Sequence, residues 1–456
     1  MDNVQKKRRV VVLGGGISGY GSALLAQREG FDTFLSDRGT IAPRYREELE
    51  RHGIQFEEGK HTEELILSAD EVVKSPGIPD KAPIIKELRE AGIPVISEIE
   101  FAGRYLGDAK TICITGSNGK TTTTSLIYKI LTDAGYSVAL GGNIGESFAC
   151  SVMSGCYDWY VLEISSFQLD GMYDFKADIS VLMNITPDHL DRYDYNFQNY
   201  VDSKMRIIRN QTMSENFIFS GDDAAVQGVL KAMTLETNPL PFYAVGESQP
   251  QQGAYLREDD MVVASLAHNS VEVDTKAMKI KGLHNAYNAM AAALAALSAG
   301  VEPQVIEASI VEFDPVEHRL EPAGSVAGVT YINDSKATNV DSVWYALESM
   351  RQPTVWIAGG TDKGNDYTPL KEFARAKVHT LVCMGLDNEA LQREFKGVIP
   401  KIISTASLEE AMSAARLSAR AGDVVLLSPA CASFDLFKNY EDRGRQFKEW
   451  VAKQNS

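Results

Sequence analysis

The stretch Lys110–Thr124, K-T-I-C-I-T-G-S-N-G-K-T-T-T-T, constrains this 456-residue chain more than any other. Thr111 to Ile114 form a β-branched and apolar run, the mark of a buried strand. Gly116, Ser117, Asn118 and Gly119 make a loop, and Lys120 to Thr124 open an amphipathic helix carrying Leu126, Ile127 and Ile130. A strand, a glycine loop and Lys-Thr at a helix start suit a nucleotide triphosphate. Backbone N–H groups and the helix N-terminus favour phosphates, Lys120 reaches their outer oxygens, and the Thr121 hydroxyl can ligate Mg²⁺. Ile114 stands where the usual pattern has its first glycine, so the match is G-x-x-G-K-T. The competing reading is an ordinary strand-to-helix turn whose glycines serve backbone geometry; the flanking strand and helix favour phosphate binding.

A chain of this length divides into two or three domains. Its 44% hydrophobic and 23% charged residues are ordinary for a soluble globular protein. A net charge of −17 argues against a general nucleic-acid or anionic-membrane surface, so neither is expected as a partner. Five scattered cysteines without a C-x-x-C point to a reduced, cytoplasmic protein. Lys6 to Arg9 precede an apolar run that stops at Gly14, too short for a signal peptide. Ala289 to Leu297 is short and alanine-rich, hence a core helix and not a membrane span.

Val10 to Gly21 read V-V-V-L-G-G-G-I-S-G-Y-G, a strand feeding Gly14-x-Gly16-x-x-Gly19 and a helix. A second strand, Thr33 to Leu35, ends at Asp37, about where a ribose-binding carboxylate stands in a dinucleotide fold. Two readings stay open, a nicotinamide-dinucleotide site and a tight turn in any α/β unit. Glu71 to Lys74 before Ser75-Pro76-Gly77, and Pro94 to Ile96 before Ser97-Glu98, continue a doubly wound sheet. Ligands bind outside the carboxyl ends of such strands, so the loops at Gly14, Asp37 and Ser75 line one crevice.

Further on, Trp159 to Glu163 is an apolar strand ending in an acid, placed to hold Mg²⁺ beside a phosphate loop or simply solvated. Ile179 to Met183 leads into Asn184-Ile-Thr-Pro-Asp-His189-Leu-Asp-Arg192-Tyr193, where His189 is either a metal ligand or a structural hydrogen-bonder. On the next helix Tyr200, Lys204, Ile207 and Ile208 share the apolar face. The pattern favours a snorkelling Lys204, with a desolvated, reactive amine as the alternative. Residues 210–274 suggest no role. Asn285 and Asn288 lie three apart and could read a base edge, or Asn285 could cap the alanine-rich helix. A third unit begins near Phe313, with strands at Val329–Ile332, Thr354–Ala358, Leu381–Met384 and Val424–Leu427. Polar loops follow these strands, and two carry lysines suited to an anion.

Together the loops resemble the Mur ligases, ATP-dependent amide-forming enzymes of peptidoglycan synthesis. The resemblance rests on Thr115–Thr121, Asn184–Asp191, Glu317-His318-Arg319, Asn333-Asp-Ser-Lys-Ala-Thr-Asn339 and Gly359-Gly-Thr-Asp-Lys363, and covers nearly the whole chain. Within that family, Ser428 to Gly444 is most similar to the branch that adds D-glutamate to UDP-N-acetylmuramoyl-L-alanine. The missing first glycine of the phosphate loop is usual in the family.

The resemblance implies a three-domain α/β fold. Residues 1–99 would form a Rossmann-like UDP-substrate domain, 100–314 a central P-loop ATPase-like domain with a mainly parallel sheet, and 315–456 a Rossmann-like amino-acid domain. It implies ATP, two Mg²⁺ ions, a carbamylated lysine and a monomer. Gly116, Ser117, Asn118, Gly119, Lys120 and Thr122 would hold the phosphates, with Thr121 and Glu163 on one Mg²⁺. His189 and Lys204, the latter as a carbamate, would hold the second. Asn285, Asn288, His318, Arg319 and Asp334 would bind adenosine and its phosphates. Asn143 and Arg192 would approach the muramoyl group and its carboxylate. Gly14, Gly16, Ser18, Ser36, Asp37, Arg38, Ser75 and Gly77 would hold the uridine diphosphate in place of NAD. Lys336, Thr338, Lys363, Ser433, Phe434 and Tyr440 would place D-glutamate. The competing functions are a related ligase adding another amino acid, a nucleotide-sensing module without turnover, and an NAD oxidoreductase.

Overall fold

The computed structural model describes residues 7–188, 190–246, 248–314, 316–362 and 364–454. His189 and Lys363 lie outside the described residues. The fold is three-domain α/β, with one sheet in each domain. Contacts gather the chain into two compact units, Met1–Ala277 with Tyr287–Val311, and Met278–Ala286 with Glu312–Ser456. Among the described residues no helix is long and apolar enough to cross a membrane.

The first unit holds two sheets. Its N-terminal sheet runs Gln55–Glu58, Asp32–Asp37, Arg9–Leu13, Glu71–Lys74 and Val95–Ile96, all parallel. Val10 to Leu13 are buried throughout, as expected of a central strand covered on both faces. The strand order reverses between Arg9–Leu13 and Glu71–Lys74, so the loops at Gly14 and Ser75 flank the switch point where such sheets bind ligands. The glycines have steric reasons. A Cβ on Gly19 would lie 1.8 Å from the Gly14 carbonyl oxygen, and one on Gly14, at φ +95°, 2.6 Å from Ser75 Oγ.

The second sheet of this unit has nine strands. Val138–Gly142, Trp159–Glu163, Lys110–Thr115, Ile179–Leu182, Asn216–Ser220, Asn238–Tyr243 and Gly253–Leu256 are parallel in that order. Met261–Leu266 and Asn269–Asp274 complete it as an antiparallel pair. Residues 210–274 therefore extend this sheet, a structural role the sequence did not reveal. Glu100, which is buried, fastens the two sheets' segments by accepting from the N–H groups of Tyr173 at 2.9 Å and Phe175 at 3.0 Å.

The second unit is built on a mixed sheet. Glu321–Val326 pairs antiparallel with Val329–Asn333, and Val424–Leu427, Thr354–Ala358, Val378–Met384 and Lys401–Thr405 follow in parallel. Buried Trp356, Leu381, Phe395 and Leu426 fill one face, while Val355, Ile357, Phe447 and Val451 fill the other.

Candidate active site

The phosphate-loop element forms as its sequence demands. Strand Lys110–Thr115 leads to Gly116 and Gly119, at φ +148° and +85°, conformations that favour glycine. A Cβ on Gly119 would lie 2.7 Å from Asn288 Oδ1. Helix Lys120–Asp133 starts there without a side-chain cap, and a helix N-terminus attracts anions. The segment after strand Ile179–Leu182 clamps the loop. Ser117 and Asn118 N–H donate to the Asn184 carbonyl and Oδ1 at 2.9 and 2.8 Å, and Ser117 Oγ donates to the Thr186 carbonyl at 2.8 Å. Lys120 Nζ folds back on the Gly116 and Ser117 carbonyls at 2.7 and 2.9 Å. The buried hydroxyls of Thr122 and Thr186 have no partner among the described residues, which suits a loop that receives a polar ligand.

Beside the loop, the Thr121 hydroxyl donates to Glu163 Oε2 at 2.7 Å and the Asn143 amide to Oε1 at 2.8 Å. Thr121 and Glu163 thus present the hard oxygen donors that Mg²⁺ takes. Lys204 is only 1% exposed, so the snorkelling expectation is corrected. Helix Phe197–Met205 buries that face, with Nζ donating to the Gly116 carbonyl at 2.8 Å and lying 4.7 Å from the Tyr200 ring centroid. Burial, followed by the neighbouring Lys120 charge, drives its pKa well below the ordinary lysine value despite Asp188, Asp170 and Glu163.

At the N-terminal switch point a cavity of about 390 Å³ is lined by Gly14, Gly16, Ser18, Asp37, Arg38, Ser75 and Gly77, together with His61. Ser36 is not on its wall. It is fully buried, and its hydroxyl sits between Glu57 and His61. Asp37 accepts from the N–H groups of Gly15 and Gly39, holding the glycine loop. Arg192 reaches the same region, with Nη2 3.3 Å from the Pro76 carbonyl and its guanidinium 4.2 Å from the Phe167 ring centroid. His61 carries no motif in the sequence, and only the fold brings it to this crevice.

In the second unit Asp334 follows strand Val329–Asn333, accepting from Ser428 Oγ at 2.7 Å and Leu320 N–H at 3.2 Å. Burial pushes its carboxyl up to about 7, only partly offset by Ser428 and Arg319. The Arg319 Nε is buried with no partner among the described residues. His318, at φ +64°, has Nδ1 2.8 Å from the Asn333 amide nitrogen, and burial lowers its pKa. Asn285 is inside helix Leu283–Ser298, its amide donating to the Lys281 carbonyl at 2.9 Å, so it does not cap that helix. Lys336 Nζ lies 5.4 Å from the Tyr440 ring centroid, and Thr338 N–H donates to the Lys336 carbonyl. Ser433 is buried, whereas Phe434 is 73% exposed. Arg443 falls within the Ser428–Gly444 motif, but the sequence assigns it no individual role. It is fully buried, holding Ser335 Oγ and its carbonyl at 2.9 and 2.8 Å and the Cys431 carbonyl at 3.3 Å.

Three family models match the chain: the Mur ligase MurD-like N-terminal domain over residues 8–97, the Mur ligase middle domain over 114–296, and the Mur ligase glutamate ligase domain over 318–431. The UDP-N-acetylmuramoylalanine–D-glutamate ligase of Bacteroides fragilis is 53% identical over 446 residues, covering 97% of this chain and 99% of the relative. Two solved structures share the fold. The UDP-N-acetylmuramate-alanine ligase MurC of Thermotoga maritima has a TM-score of 0.61 at 18% identity, covering 98% of this chain and 99% of that one. The MurF ligase of the same organism, in complex with ADP, has a TM-score of 0.60 at 15% identity, covering 100% and 99%. With such identity to a relative over nearly the whole of both chains, this chain belongs to the Mur ligase family.

Proposed function

We propose that the protein is an ATP-dependent ligase that joins D-glutamate to UDP-N-acetylmuramoyl-L-alanine through an amide bond, in peptidoglycan precursor synthesis. The observation that carries this reading is Lys120 on the glycine loop beside the Thr121–Glu163 oxygen pair that suits Mg²⁺. Two anions, a carboxylate and a triphosphate, can meet only where positive charge is concentrated. The choice of D-glutamate and of the muramoyl acceptor is supported by the 53% identical relative.

In this reading an oxygen of the terminal alanine carboxylate attacks the γ-phosphorus of ATP. The bond to the bridging oxygen breaks, leaving ADP and an acyl phosphate. The amine of D-glutamate then adds to the acyl carbon, the tetrahedral intermediate expels phosphate, and the nitrogen loses a proton to leave the amide. Bound Mg²⁺ would supply charge screening. Thr121 and Glu163 would hold one ion, and His189 with Lys204 a second. The buried Lys204 suits a carbamate, in which the neutral amine adds to CO₂ and one proton is lost, leaving an anionic oxygen ligand.

The remaining assignments follow the family. Gly116 to Lys120 and Thr122 are proposed for the phosphates, and Asn285, Asn288, His318, Arg319 and Asp334 for the nucleotide. The switch-point crevice and Arg192 are proposed for the UDP-linked acceptor, with Asn143 near its muramoyl end. Lys336, Thr338, Lys363, Ser433, Phe434 and Tyr440 are proposed for D-glutamate. Residues 1–99, 100–314 and 315–456 would be the three domains of a cytoplasmic monomer, a setting supported by five cysteines that form no disulfide. The test supplies ATP, UDP-N-acetylmuramoyl-L-alanine and one amino acid at a time and follows phosphate release with amide product. D-Glutamate should drive both; release only with another amino acid would reassign the substrate, and none at all would remove the ligase reading.

A further inference from the structure

Glu57, Ser36 and His61 form a hydrogen-bonded chain beside the switch-point crevice. Ser36 Oγ lies 2.7 Å from Glu57 Oε1 and 2.7 Å from His61 Nδ1. The Glu57 carboxyl also accepts from the Thr62 N–H at 2.7 Å and the Thr62 hydroxyl at 2.6 Å. Burial pushes Glu57 up, but these hydrogen bonds with those from Ser36 and the Lys60 charge outweigh it and hold the group below the usual carboxylate range. Glu57 is therefore an acceptor only. A serine hydroxyl has one proton to give. Once that proton is directed at Glu57, Ser36 Oγ faces His61 with lone pairs, so the His61 Nδ1 must carry the hydrogen. Burial, partly offset by Glu57 and Asp37, lowers the imidazole pKa. The ring is then neutral near pH 7, and Nε2 bears a lone pair.

His61 lines the cavity with Gly14, Asp37, Arg38 and Ser75, and no described residue bonds its Nε2. The Asp37 carboxylate at the same crevice is already engaged by two backbone N–H groups. We infer that His61 is a specificity-determining residue of the crevice, its Nε2 accepting a hydrogen bond from the nucleoside of the UDP-linked acceptor. The donor is the imide N3–H of uracil or the ribose 2′-hydroxyl. The inference rests on the acceptor reading proposed above. A neutral acceptor reads such a donor without repelling the diphosphate. It also disfavours a base such as cytosine, whose N3 would meet it lone pair to lone pair.

The test measures KM for the acceptor in the wild-type enzyme, His61→Ala and Ser36→Ala, using the natural acceptor and analogues bearing N3-methyluracil or 2′-deoxyribose. His61→Ala should raise the KM for the natural acceptor about 2- to 13-fold, the range of one neutral hydrogen bond. Its kcat and its KM for ATP should stay unchanged. The analogue lacking the relevant donor should show a similar loss on the wild type and no further loss on His61→Ala, which identifies base or ribose as the source. Ser36→Ala, which releases the tautomer, should weaken the natural acceptor in the same direction. If the wild type discriminates against neither analogue, or if His61→Ala weakens all three acceptors equally, the inference falls while the ligase reading stands. Failure of the wild type to turn over the natural acceptor would remove both.

Discussion

Lys204 Nζ and Lys120 Nζ donate to the same oxygen, the Gly116 carbonyl, at 2.8 and 2.7 Å. Two ammonium groups so placed would repel one another, and burial followed by the Lys120 charge drives the pKa of Lys204 well below its ordinary value. A neutral amine in that position is the form that adds CO₂. Lys204→Ala should lower kcat by at least about 10²-fold, the scale of losing one electrostatic contact at a transition state. Far-UV circular dichroism should stay unchanged. A short carboxylic acid such as formate should restore part of the rate, and ¹³C-bicarbonate should give a carbamate resonance in the wild type alone. Undiminished turnover in the variant would take Lys204 out of the metal site.

Gly119 offers a steric test of the phosphate loop. Its φ of +85° disfavours any L-residue, and the new Cβ would stand 2.7 Å from Asn288 Oδ1. Gly119→Ala should cost about 1–3 kcal/mol of stability from backbone strain, and ATP affinity should fall by more than acceptor affinity. Denaturant midpoints and calorimetric ATP titration give both numbers. Equal stability would mean that the loop relaxes without Asn288.

The local chemistry of the fold was legible and its long-range consequences were not. Val10–Leu13, Thr354–Ala358 and the loop at Gly116 declare themselves because apolar runs and glycines act over a few residues. The helical spacing placed Lys204 on the buried face, but whether its ammonium reached water depended on the Gly116 carbonyl, 88 residues earlier. Strand Asn238–Tyr243 was hidden by Pro239 and Pro241, which argue against a central strand. Both prolines pair with Asn216–Ser220, while Gly253–Leu256 pairs only with Phe242 and Tyr243 beyond them. His61 and Arg443 lie in polar surroundings in sequence, and only tertiary structure gives them partners.

Asp334 should make stability depend on pH. Its folded pKa, about 7, is above the unfolded value near 3.9, so the native state binds the extra proton between those limits. The group leaves stability untouched below pH ~4, lowers it progressively as pH rises toward 7, and has its full destabilising effect above that. The slope is at most about 1.4 kcal/mol per pH unit. Urea midpoints at several pH values should show this fall in the wild type, and Asp334→Asn should flatten it. The same slope in both would place the titration elsewhere.

The energetics of Arg443 differ from those of a surface arginine. The guanidinium is fully buried, and its hydrogen bonds go to Ser335 and to main-chain carbonyls. Burial, opposed by Cys431, Asp435 and Asp334, brings its pKa down to about 10. Its value lies in geometry, because one planar fork ties the loop after Val329–Asn333 to the loop after Val424–Leu427. Removing it strands buried acceptors as well as a cavity. Arg443→Ala should therefore cost several kcal/mol, at about 1–3 kcal/mol for each buried acceptor left unpaired. Arg443→Lys keeps the charge and loses the fork, so it should cost less, yet still loosen both loops. These loops carry Lys336 and Ser433, and the lysine variant should raise the KM for D-glutamate several-fold while the KM for ATP changes little. A lysine variant with both constants unchanged would show that charge alone suffices there.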